Sequence, residues 1–304
     1  MRDSDAERLM AVLADTLQTD VSLSPFLTIR TGGPAALFLE ARSERDICRA
    51  VQEARRLDIP YLVLGNGSNM LVSDQGFDGL VIHLGRDFAQ IMLEGEYMDA
   101  QAGALLPAVA KRAAAASLSG LEFASGIPGS VGGAAFMNAG AFGGDMSSVI
   151  VHVRCLTPQG EVMQLDVADL AYGYRTSRIM QEGFIVLSVR LKLTPDRQED
   201  ILARMDAYTA ERRQKQPINY PSAGSFFRRP EGHFAGALIE QCGLKGRRVG
   251  GAAVSTLHAG FLINTGGATT QDFLTLMQII QSEVFQRFGV QLENEVRIVN
   301  GTQP

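Results

Sequence analysis

The sequence predicts an α+β fold for a chain of 304 residues. Three observations predict it: a strand–helix–strand unit over 36–64, a β-hairpin over 89–102, and an alternation of apolar and polar residues over 184–193. In the first of these, Ser43 begins the helix and Asp46 stands at the capping-box position. The chain therefore mixes helices and strands rather than using one kind of element.

The other elements follow from the same patterns in chain order. Strands are predicted at 36–40, 61–64, 81–84, 89–93, 97–102, 149–156, 162–165, 184–193, 261–264 and 296–299. Helices are predicted at 4–18, 43–57, 105–117, 197–215, 234–242 and 269–288. The pair Thr194-Pro195 ends the long run of strands, so the clearest domain boundary falls near 195–200.

Composition and charge narrow the function. With 46% apolar and 20% charged residues, the chain is typical of a globular protein and is long enough for two or three domains. The net charge of −5 argues against a general nucleic-acid binder, and the acidic N-terminus lacks the pattern of a signal peptide. Three cysteines and four histidines lie too far apart for a disulfide framework or a metal site. The sequence therefore predicts a cytoplasmic, metal-free protein without a nucleic-acid, membrane or obligate protein partner.

The segment between Glu122 and Asp145 is the most unusual part of the chain, because it has no charged side chain and contains seven glycines. So many glycines, with Pro128 among them, make a poor membrane-spanning helix, and no apolar stripe recurs at the spacing of a core helix. Such a backbone can bend sharply and approach a partner closely. The segment is expected either to hold an anion through backbone N–H groups or to be a structural glycine-rich loop.

A second glycine loop favours the first of these interpretations. Residues 64–69 read Leu-Gly-Asn-Gly-Ser-Asn and follow the strand at 61–64. A Rossmann-type dinucleotide loop would open into a helix, whereas residues 70–72 here are strand-like and 73–76 read as a turn. Two such loops about sixty residues apart predict one extended nucleotide held by backbone groups from two sides.

The charge is unevenly spread along the chain. Between Arg204 and Arg248, nine basic residues stand against four acidic ones, so this segment has a net charge of +5 within a −5 protein. Local positive charge with several arginines suits a diphosphate or carboxylate ligand. A solvated basic surface gives the same pattern, and for any one of these residues it is the commoner explanation.

Three polar segments could carry chemistry, although each taken alone is more often structural. They read Tyr-Gly-Tyr-Arg-Thr-Ser-Arg at 172–178, Pro-Ser-Ala-Gly-Ser-Phe-Phe at 221–227, and Leu-Glu-Asn-Glu-Val-Arg at 292–297. Ser225 does not lie in a G-x-S-x-G nucleophile elbow, and no histidine stands near it in sequence. The pattern therefore disfavours a serine hydrolase.

The order of these segments resembles one family closely. The chain is similar to the UDP-N-acetylenolpyruvoylglucosamine reductases from about residue 22 onward, in the form without an extra tyrosine-containing loop. The resemblance is carried, in chain order, by RTGGPA (30–35), LGNGSNMLVSD (64–74), SGIPGSVGGAAFMNAGAFGGD (125–145), YGYRTSR (172–178), KQP (215–217), PSAGSFF (221–227), GLKGRRVGGAAVS (243–255), HAGFLINTG (258–266) and LENEVRIV (292–299).

The resemblance implies a fold and an activity. It implies an FAD-binding domain of the vanillyl-alcohol-oxidase/PCMH type over 22–195, in two lobes divided near 85–100, and a substrate-binding domain over 196–304. The helix predicted from the sequence pattern within 1–21 precedes these domains. The resemblance also implies a flavoenzyme with non-covalent FAD that uses NADPH to reduce the enolpyruvyl group of UDP-N-acetylglucosamine enolpyruvate. The product would be UDP-N-acetylmuramate, a peptidoglycan precursor. Another FAD-dependent oxidoreductase of the same fold and a non-catalytic nucleotide-binding module are the alternatives.

Residue roles follow from the same resemblance. Arg175 and Glu295 match catalytic residues of the family, and Ser225 matches its proton donor. Phe142 stands where the family commonly has tyrosine, and Asn294 where it commonly has proline. Substrate contacts are expected from Tyr174, Lys215 and Arg229. Contacts to FAD are expected from Gly65, Asn66, Gly67, Ser68, Asn69, Gly126, Ile127, Pro128, Gly129, Ser130, Gly132, Gly133, Asn138, Gly140 and Arg297.

Overall fold

The computed structural model describes residues 8–10, 13 and 17–302. They form two compact units, each assembled from separate stretches of the chain. The first unit comprises the chain up to Gln18, Leu37–Asn66 and Leu80–Glu211. The second comprises Thr19–Ala36, Gly67–Gly79 and the chain from Arg212 onward.

Helices and strands occur in both units, which confirms the predicted α+β class. The strands are β1 (Leu17–Ser22), β2 (Pro34–Glu40), β3 (Tyr61–Leu64), β4 (Met70–His83), β5 (Ile91–Glu94), β6 (Tyr97–Gln101), β7 (Leu118–Ser119), β8 (Gly140–Ala141), β9 (Gly144–Asp145), β10 (Ile150–Leu156), β11 (Val162–Asp166), β12 (Ile185–Lys192), β13 (Thr194–Pro195), β14 (Ser222–Ser225), β15 (Arg248–Val249), β16 (Ala252–Val254), β17 (Phe261–Asn264) and β18 (Arg297–Gly301). The helices are α1 (Glu44–Arg56), α2 (Leu106–Ala115), α3 (Val131–Phe136), α4 (Arg178–Glu182), α5 (Gln198–Lys215), α6 (Ala235–Gln241) and α7 (Thr270–Phe288).

A five-stranded antiparallel sheet, in the order β11-β10-β12-β6-β5, lies at the centre of the first unit. The predicted β5–β6 hairpin is confirmed, and it turns at Gly95, whose φ of +59° glycine adopts without strain. In β12, the buried residues Leu187, Val189 and Leu191 alternate with partly exposed ones, as the period of two predicts. The short helix α3 packs on β12.

The predicted helix after β2 is also confirmed. The Ser43 side chain accepts a hydrogen bond from the Asp46 N–H at 3.2 Å and caps the N-terminus of α1. The helix buries Ile47, Val51 and Ala54, which lie on one face at helical spacing. The following strand, β3, runs parallel to the second part of β4.

The second unit contains an antiparallel sheet in the order β14-β17-β16-β15, against which α7 packs. A capping box begins α7: the Thr269 hydroxyl accepts from the Asp272 N–H at 3.1 Å, and the Asp272 carboxylate accepts from the Thr269 N–H at 3.0 Å. One turn later, Phe273 stacks on Phe226 with ring centroids 5.7 Å apart, and both residues are fully buried. This stack fixes the end of β14.

The predicted turn at 73–76 is wrong, because β4 continues through these residues. The strand pairs in parallel with β18, and its register slips once across this stretch. Gly76 has a φ of +83°, which is a turn-like conformation, but the Gly33 N–H donates to the Ser73 carbonyl at 2.8 Å and holds the stretch in place. The segment is therefore a bulge within a strand.

The predicted N-terminal helix is wrong at its C-terminal end. Of the predicted segment 4–18, residues 4–7, 11–12 and 14–16 lie outside the described residues, while 8–10 and 13 are helical. Leu9 and Leu13 are buried in the core of the first unit. From Leu17 onward the chain forms β1, where the β-branched residues Thr19 and Val21 favour pairing with β2.

The predicted domain limits, 22–195 and 196–304, remain predictions, because the compact units combine separate stretches of the chain. Within residues 8–10, 13 and 17–302, no helix is long and apolar enough to cross a membrane.

Candidate active site

The glycine-rich segment 125–145 is attached to the central sheet of the first unit. The Val131 N–H donates to the Ala104 carbonyl at 2.8 Å, and the Gly132 N–H donates to the Ala102 carbonyl at 2.9 Å. A Cβ at Gly132 would lie only 2.7 Å from the Cβ of Ala102. Glycine is therefore required there for the backbone to approach the sheet.

The two glycine loops meet within the first unit. The Asn66 side-chain Nδ2 donates to the Pro128 carbonyl at 2.6 Å. Gly65 lies so close to Ser130 that a Cβ at residue 65 would collide with the Ser130 Oγ. The same Oγ accepts from the Gly133 N–H at 3.3 Å and caps α3. Residues of the glycine loop at 64–69 thus contact the glycine-rich segment 125–145, as expected if both bind one ligand.

Several N–H groups of these two loops have no hydrogen-bond acceptor among the residues that the structure describes. Within the first unit, five N–H groups of the two loops donate to no acceptor among the described residues. They are those of Gly65, Asn66, Gly126, Gly129 and Ser130. Ile127 differs, since its N–H donates to the Ala124 carbonyl at 3.1 Å. Backbone N–H groups of this kind are the donors that hold phosphate groups in many proteins.

Arg175 lies in a two-residue turn between Gly173 and Thr176, whose backbones pair with each other. Its φ of +54° is left-handed, which costs a residue with a side chain about 1–2 kcal/mol. The guanidinium donates to the carbonyls of Asn138 at 3.5 Å and Gly140 at 3.2 Å. The predicted catalytic arginine is therefore held in a strained turn and tied to the glycine-rich segment.

Asn138 connects this turn to the loop. Its Nδ2 donates to the Gly173 carbonyl at 3.2 Å and to the Asp145 carboxylate at 3.4 Å. Its Oδ1 accepts from the Ser147 N–H at 3.0 Å, and only 5% of the residue is exposed. Because the side-chain amide of Asn138 is hydrogen-bonded to other protein groups, Asn138 would contact a cofactor through its backbone and not through its side chain.

One tyrosine, Tyr174, lies in the Arg175 turn, and another, Tyr172, precedes it. Tyr174 is 57% exposed, and the guanidinium of Arg175 lies 5.3 Å from its ring centroid. The Tyr172 hydroxyl is buried and bonds no other residue that the structure describes. Burial, and secondly the nearby Asp145 carboxylate, raise the pKa of Tyr172 far above its usual value. Tyr172 therefore stays neutral and does not serve as a base near neutral pH.

In the second unit, main-chain pairing places Ser225 and Glu295 on neighbouring segments. The Glu295 N–H donates to the carbonyl of Phe226, the residue after Ser225, at 2.8 Å. Ser225 pairs with Phe261 of β17 after a bulge at Gly224, whose φ is +79°. Ser225 is therefore the last residue of strand β14.

The other half of the glycine loop at 64–69, namely Gly67-Ser68-Asn69, belongs to the second unit. The Asn69 Nδ2 donates to the Glu295 carbonyl at 3.1 Å, and the Arg297 N–H donates to the Asn69 carbonyl at 3.0 Å. The N–H groups of Gly67 and Ser68 donate to no acceptor in the part of the chain that the structure describes. Loop residues and two predicted site residues, Glu295 and Arg297, are therefore held side by side.

The remaining predicted residues carry positive charge. Lys215 is the exposed last residue of α5. The Arg229 guanidinium lies 4.5 Å from the ring centroid of Phe234, a side chain that is itself exposed. Desolvation lowers the pKa of Arg297, although its side chain keeps access to solvent. The site roles of Lys215 and Arg229 remain predictions.

A cleft of about 380 Å³ opens in the second unit, beside the residues that follow Lys215 in sequence. It is lined by two arginines and by three apolar side chains that are about half exposed, namely Arg213, Arg248, Ile218, Tyr220 and Leu257. Such a lining suits a ligand that combines a flat ring with an anionic group. Both arginines belong to the basic segment, but its charge pattern does not distinguish them from the other basic residues. The signal that could have identified them is the group of exposed aromatic and apolar residues beside the KQP motif.

The chain is similar to known proteins over most of its length. A family model described as "FAD binding domain" matches residues 35–166, and "UDP-N-acetylenolpyruvoylglucosamine reductase, C-terminal domain" matches residues 216–299. The chain is 47% identical over 283 residues to the UDP-N-acetylenolpyruvoylglucosamine reductase of Lactiplantibacillus plantarum, covering 93% of each chain. It is 46% identical over 295 residues to that of Agathobacter rectalis, covering 93% of this chain and 94% of the relative. The solved UDP-N-acetylenolpyruvylglucosamine reductase of Thermus caldophilus is 37% identical, with a TM-score of 0.81 over 93% of this chain and 99% of the other.

Proposed function

Because the chain belongs to the UDP-N-acetylenolpyruvoylglucosamine reductase family, we propose that it uses NADPH to reduce the enolpyruvyl group of UDP-N-acetylglucosamine enolpyruvate. The product is UDP-N-acetylmuramate, a precursor of peptidoglycan. The structural observation that carries the proposal is the attachment of the strained Arg175 turn to the glycine-rich segment. It places a fixed cation next to the backbone that is proposed to hold the cofactor.

FAD is the cofactor of this chain, and we propose that the two glycine loops hold it. Five N–H groups in the first unit have no acceptor among the described residues and can hold its diphosphate. The N–H groups of Gly132 and Gly133 are bonded within the protein, so these two residues act through the absence of a side chain. We propose that the other predicted loop residues hold the rest of the cofactor without a covalent bond. When bound, FAD supplies hydride transfer from NADPH to the substrate.

Arg175 is proposed to stabilise the charge that develops on the substrate. Addition of hydride to the terminal vinyl carbon of the enolpyruvyl group pushes negative charge toward its carboxylate, which gives an enolate. A cation that is already fixed stabilises such charge more than a mobile one, because no reorganisation is needed as the charge forms. The two carbonyls that accept from the Arg175 guanidinium fix it in this way.

Ser225 is proposed to donate the proton that completes the reduction. A serine hydroxyl is a weak acid, so it donates only to a strong base such as the enolate carbon. Glu295 lies on the segment hydrogen-bonded to the residue after Ser225. We propose that its carboxyl group is the third catalytic group, acting with Ser225 in the delivery of the proton.

The cleft in the second unit is proposed to take the nucleotide end of the substrate. Tyr220 and Ile218 offer exposed surface to a uracil ring, while Arg213 and Arg248 offer charge to the diphosphate. Lys215, Arg229 and Tyr174 remain proposed substrate contacts. By the same reasoning, residues 22–195 are proposed to hold the cofactor and residues 196–304 the substrate. An enzyme that uses NADPH and a UDP-sugar is proposed to work in the cytoplasm, where both are held.

Anaerobic mixing tests the proposed function. Purified protein is expected to be yellow, to lose its flavin colour with NADPH, and to regain it when UDP-N-acetylglucosamine enolpyruvate is added. Mass spectrometry is expected to find UDP-N-acetylmuramate. UDP-N-acetylglucosamine, which lacks the enolpyruvyl group, is the matched control and is expected to leave the flavin reduced. Bleaching without reoxidation by the enolpyruvyl substrate would favour another oxidoreductase of this fold, and a colourless protein would favour a non-catalytic nucleotide-binding module.

A further inference from the structure

One face of α5 contacts both ends of the glycine-rich segment within the first unit. The Arg204 guanidinium donates through Nε and Nη2 to one carboxylate oxygen of Glu122, at 3.1 and 2.8 Å, immediately before the segment begins. One turn further along the helix, the Tyr208 ring stacks on Phe142, near the end of the segment. The two ring centroids lie 4.4 Å apart and the planes differ by 5°. The helix therefore holds the loop at two points.

The orientation of α5 is fixed independently of these contacts. Ile201 and Met205 are buried in the core of the first unit, whereas Leu202 is 44% exposed. Residues three or four apart share a helix face, so the buried pair presents Arg204 and Tyr208 to the loop. The Phe142–Tyr208 stack is thus backed by a packed helix.

The stack lies close to the groups that hold Arg175. Phe142 is at the tip of the β8–β9 hairpin, with a φ of +52°, so this tip is also in a left-handed conformation. The Gly140 carbonyl, two residues before Phe142, accepts from Nη2 of Arg175 at 3.2 Å. The Asn138 carbonyl accepts from Nη1 of the same guanidinium. A shift of the hairpin tip would therefore move a carbonyl that fixes Arg175.

We propose that Tyr208 is a positioning residue for Arg175. Its ring clamps Phe142, and this clamp fixes the hairpin that carries the Gly140 carbonyl. The carbonyl in turn orients the Arg175 guanidinium toward the charge that develops on the substrate. The inference rests on the proposed function, because it gives Arg175 a part in the step that follows hydride addition.

Positioning and simple packing predict different results. If Tyr208 only packs, its loss should lower thermal stability and flavin content, and should slow both half-reactions alike. If Tyr208 positions Arg175, its loss should slow reoxidation of the reduced flavin by the enolpyruvyl substrate and leave reduction by NADPH unchanged. The affinity of the oxidised enzyme for the substrate, followed through the flavin spectrum, should also stay unchanged.

The test compares three variants of the holoenzyme by anaerobic stopped-flow. Tyr208→Ala is expected to slow reoxidation by about 3- to 10-fold, which corresponds to ~0.6–1.4 kcal/mol if the aromatic stack acts through Arg175. Tyr208→Phe keeps the ring and is expected to retain the native rate. Leu202→Ala, on the exposed side of the same helix, is the matched control and is expected to be native in both half-reactions.

A double-mutant cycle then asks whether Tyr208 acts through Arg175. In an Arg175→Gln background, Tyr208→Ala is expected to cause no further loss in reoxidation rate. An equal loss in both backgrounds would overturn the proposal, as would a loss of flavin or of NADPH reduction in Tyr208→Ala alone. A native reoxidation rate in Tyr208→Ala would also overturn it. Failure of the wild-type enzyme to be reoxidised by the enolpyruvyl substrate would instead reject the proposed function.

Discussion

The left-handed backbone of Arg175 predicts that glycine is more stable than alanine at this position. The φ of +54° is imposed by the turn between Gly173 and Thr176. Both substitutions, Arg175→Gly and Arg175→Ala, remove the same guanidinium and the same hydrogen bonds to Asn138 and Gly140. The difference between the two variants therefore isolates the conformational cost of a side chain at residue 175.

The size of the difference follows from two opposing effects. Alanine in a left-handed conformation costs about 1–2 kcal/mol that glycine avoids. Glycine also gains freedom in the unfolded chain, which offsets about 0.4–1 kcal/mol of that advantage. The Arg175→Gly variant is therefore expected to be more stable than Arg175→Ala by about 0.5–1 kcal/mol. In a chain of this size, that difference raises the melting temperature by roughly 1–2 °C.

Urea unfolding of the two holoenzyme variants, with thermal melting as a second measurement, tests this expectation. The urea midpoint should be higher for Arg175→Gly, with equal m-values, since both folded states bury the same surface. Both variants should fail alike in reoxidation by substrate, because neither has the cation. An alanine variant as stable as the glycine variant would refute the idea that the fold holds Arg175 in a strained turn.

Four further predictions test the cofactor, the two half-reactions and the loop. Acid precipitation should release FAD into the supernatant, and colour that stays with the pellet would indicate a covalent bond. Ser225→Ala should leave flavin reduction by NADPH nearly intact and slow reoxidation by the ~10²–10⁴-fold typical of lost proton transfer. Ser225→Cys should retain more activity than Ser225→Ala. Equal slowing of both half-reactions would indicate a structural serine. Lys215→Ala should raise the KM for the UDP-sugar while NADPH reduction stays measurable, and an unchanged KM would remove Lys215 from the site. Burial opposes ionisation of Glu122, but hydrogen bonds from Arg204 and from the Gly120 N–H outweigh it and lower its pKa. This stabilisation is complete above the ordinary glutamate pKa of about 4.3 and is lost as the pH falls through the lower folded value, so Glu122→Gln should flatten the acid side of the stability profile.

The elements that the sequence predicts correctly are those whose determining residues lie close together in the chain. Helix α1 was predictable because its cap, Ser43, and its apolar spacing lie within one short segment. The β5–β6 hairpin was predictable for the same reason. The sequence around Gly76 predicts a turn and not a bulge, because the residues that pair with this stretch lie about forty residues before it and more than two hundred after it. Ser225 ends a strand only because β17, almost forty residues later, pairs with it.

The candidate site shows the same division. The glycine loops and the Arg175 motif were recognisable because their residue types and order are unusual. The left-handed φ of Arg175 and the hydrogen bonds of Asn138 were not predictable, since they depend on carbonyl groups that meet only in the folded chain. Tyr208 gave no signal at all, because a tyrosine on a charged helix is ordinary until its stacking partner, Phe142, is known.

The positive charge between Arg204 and Arg248 shows why charge alone could not identify the binding residues. In the first unit, Arg204 bonds the buried Glu122 carboxylate, which lies 82 residues earlier in the chain. In the second unit, Arg213 and Arg248 line the cleft, and no carboxylate within residues 17–302 pairs with either of them. A guanidinium that holds a carboxylate and one that faces an open cleft look the same in sequence. Loss of Arg204 should therefore act through the stability of the glycine-rich segment, whereas loss of Arg213 or Arg248 should act through affinity for an anionic ligand.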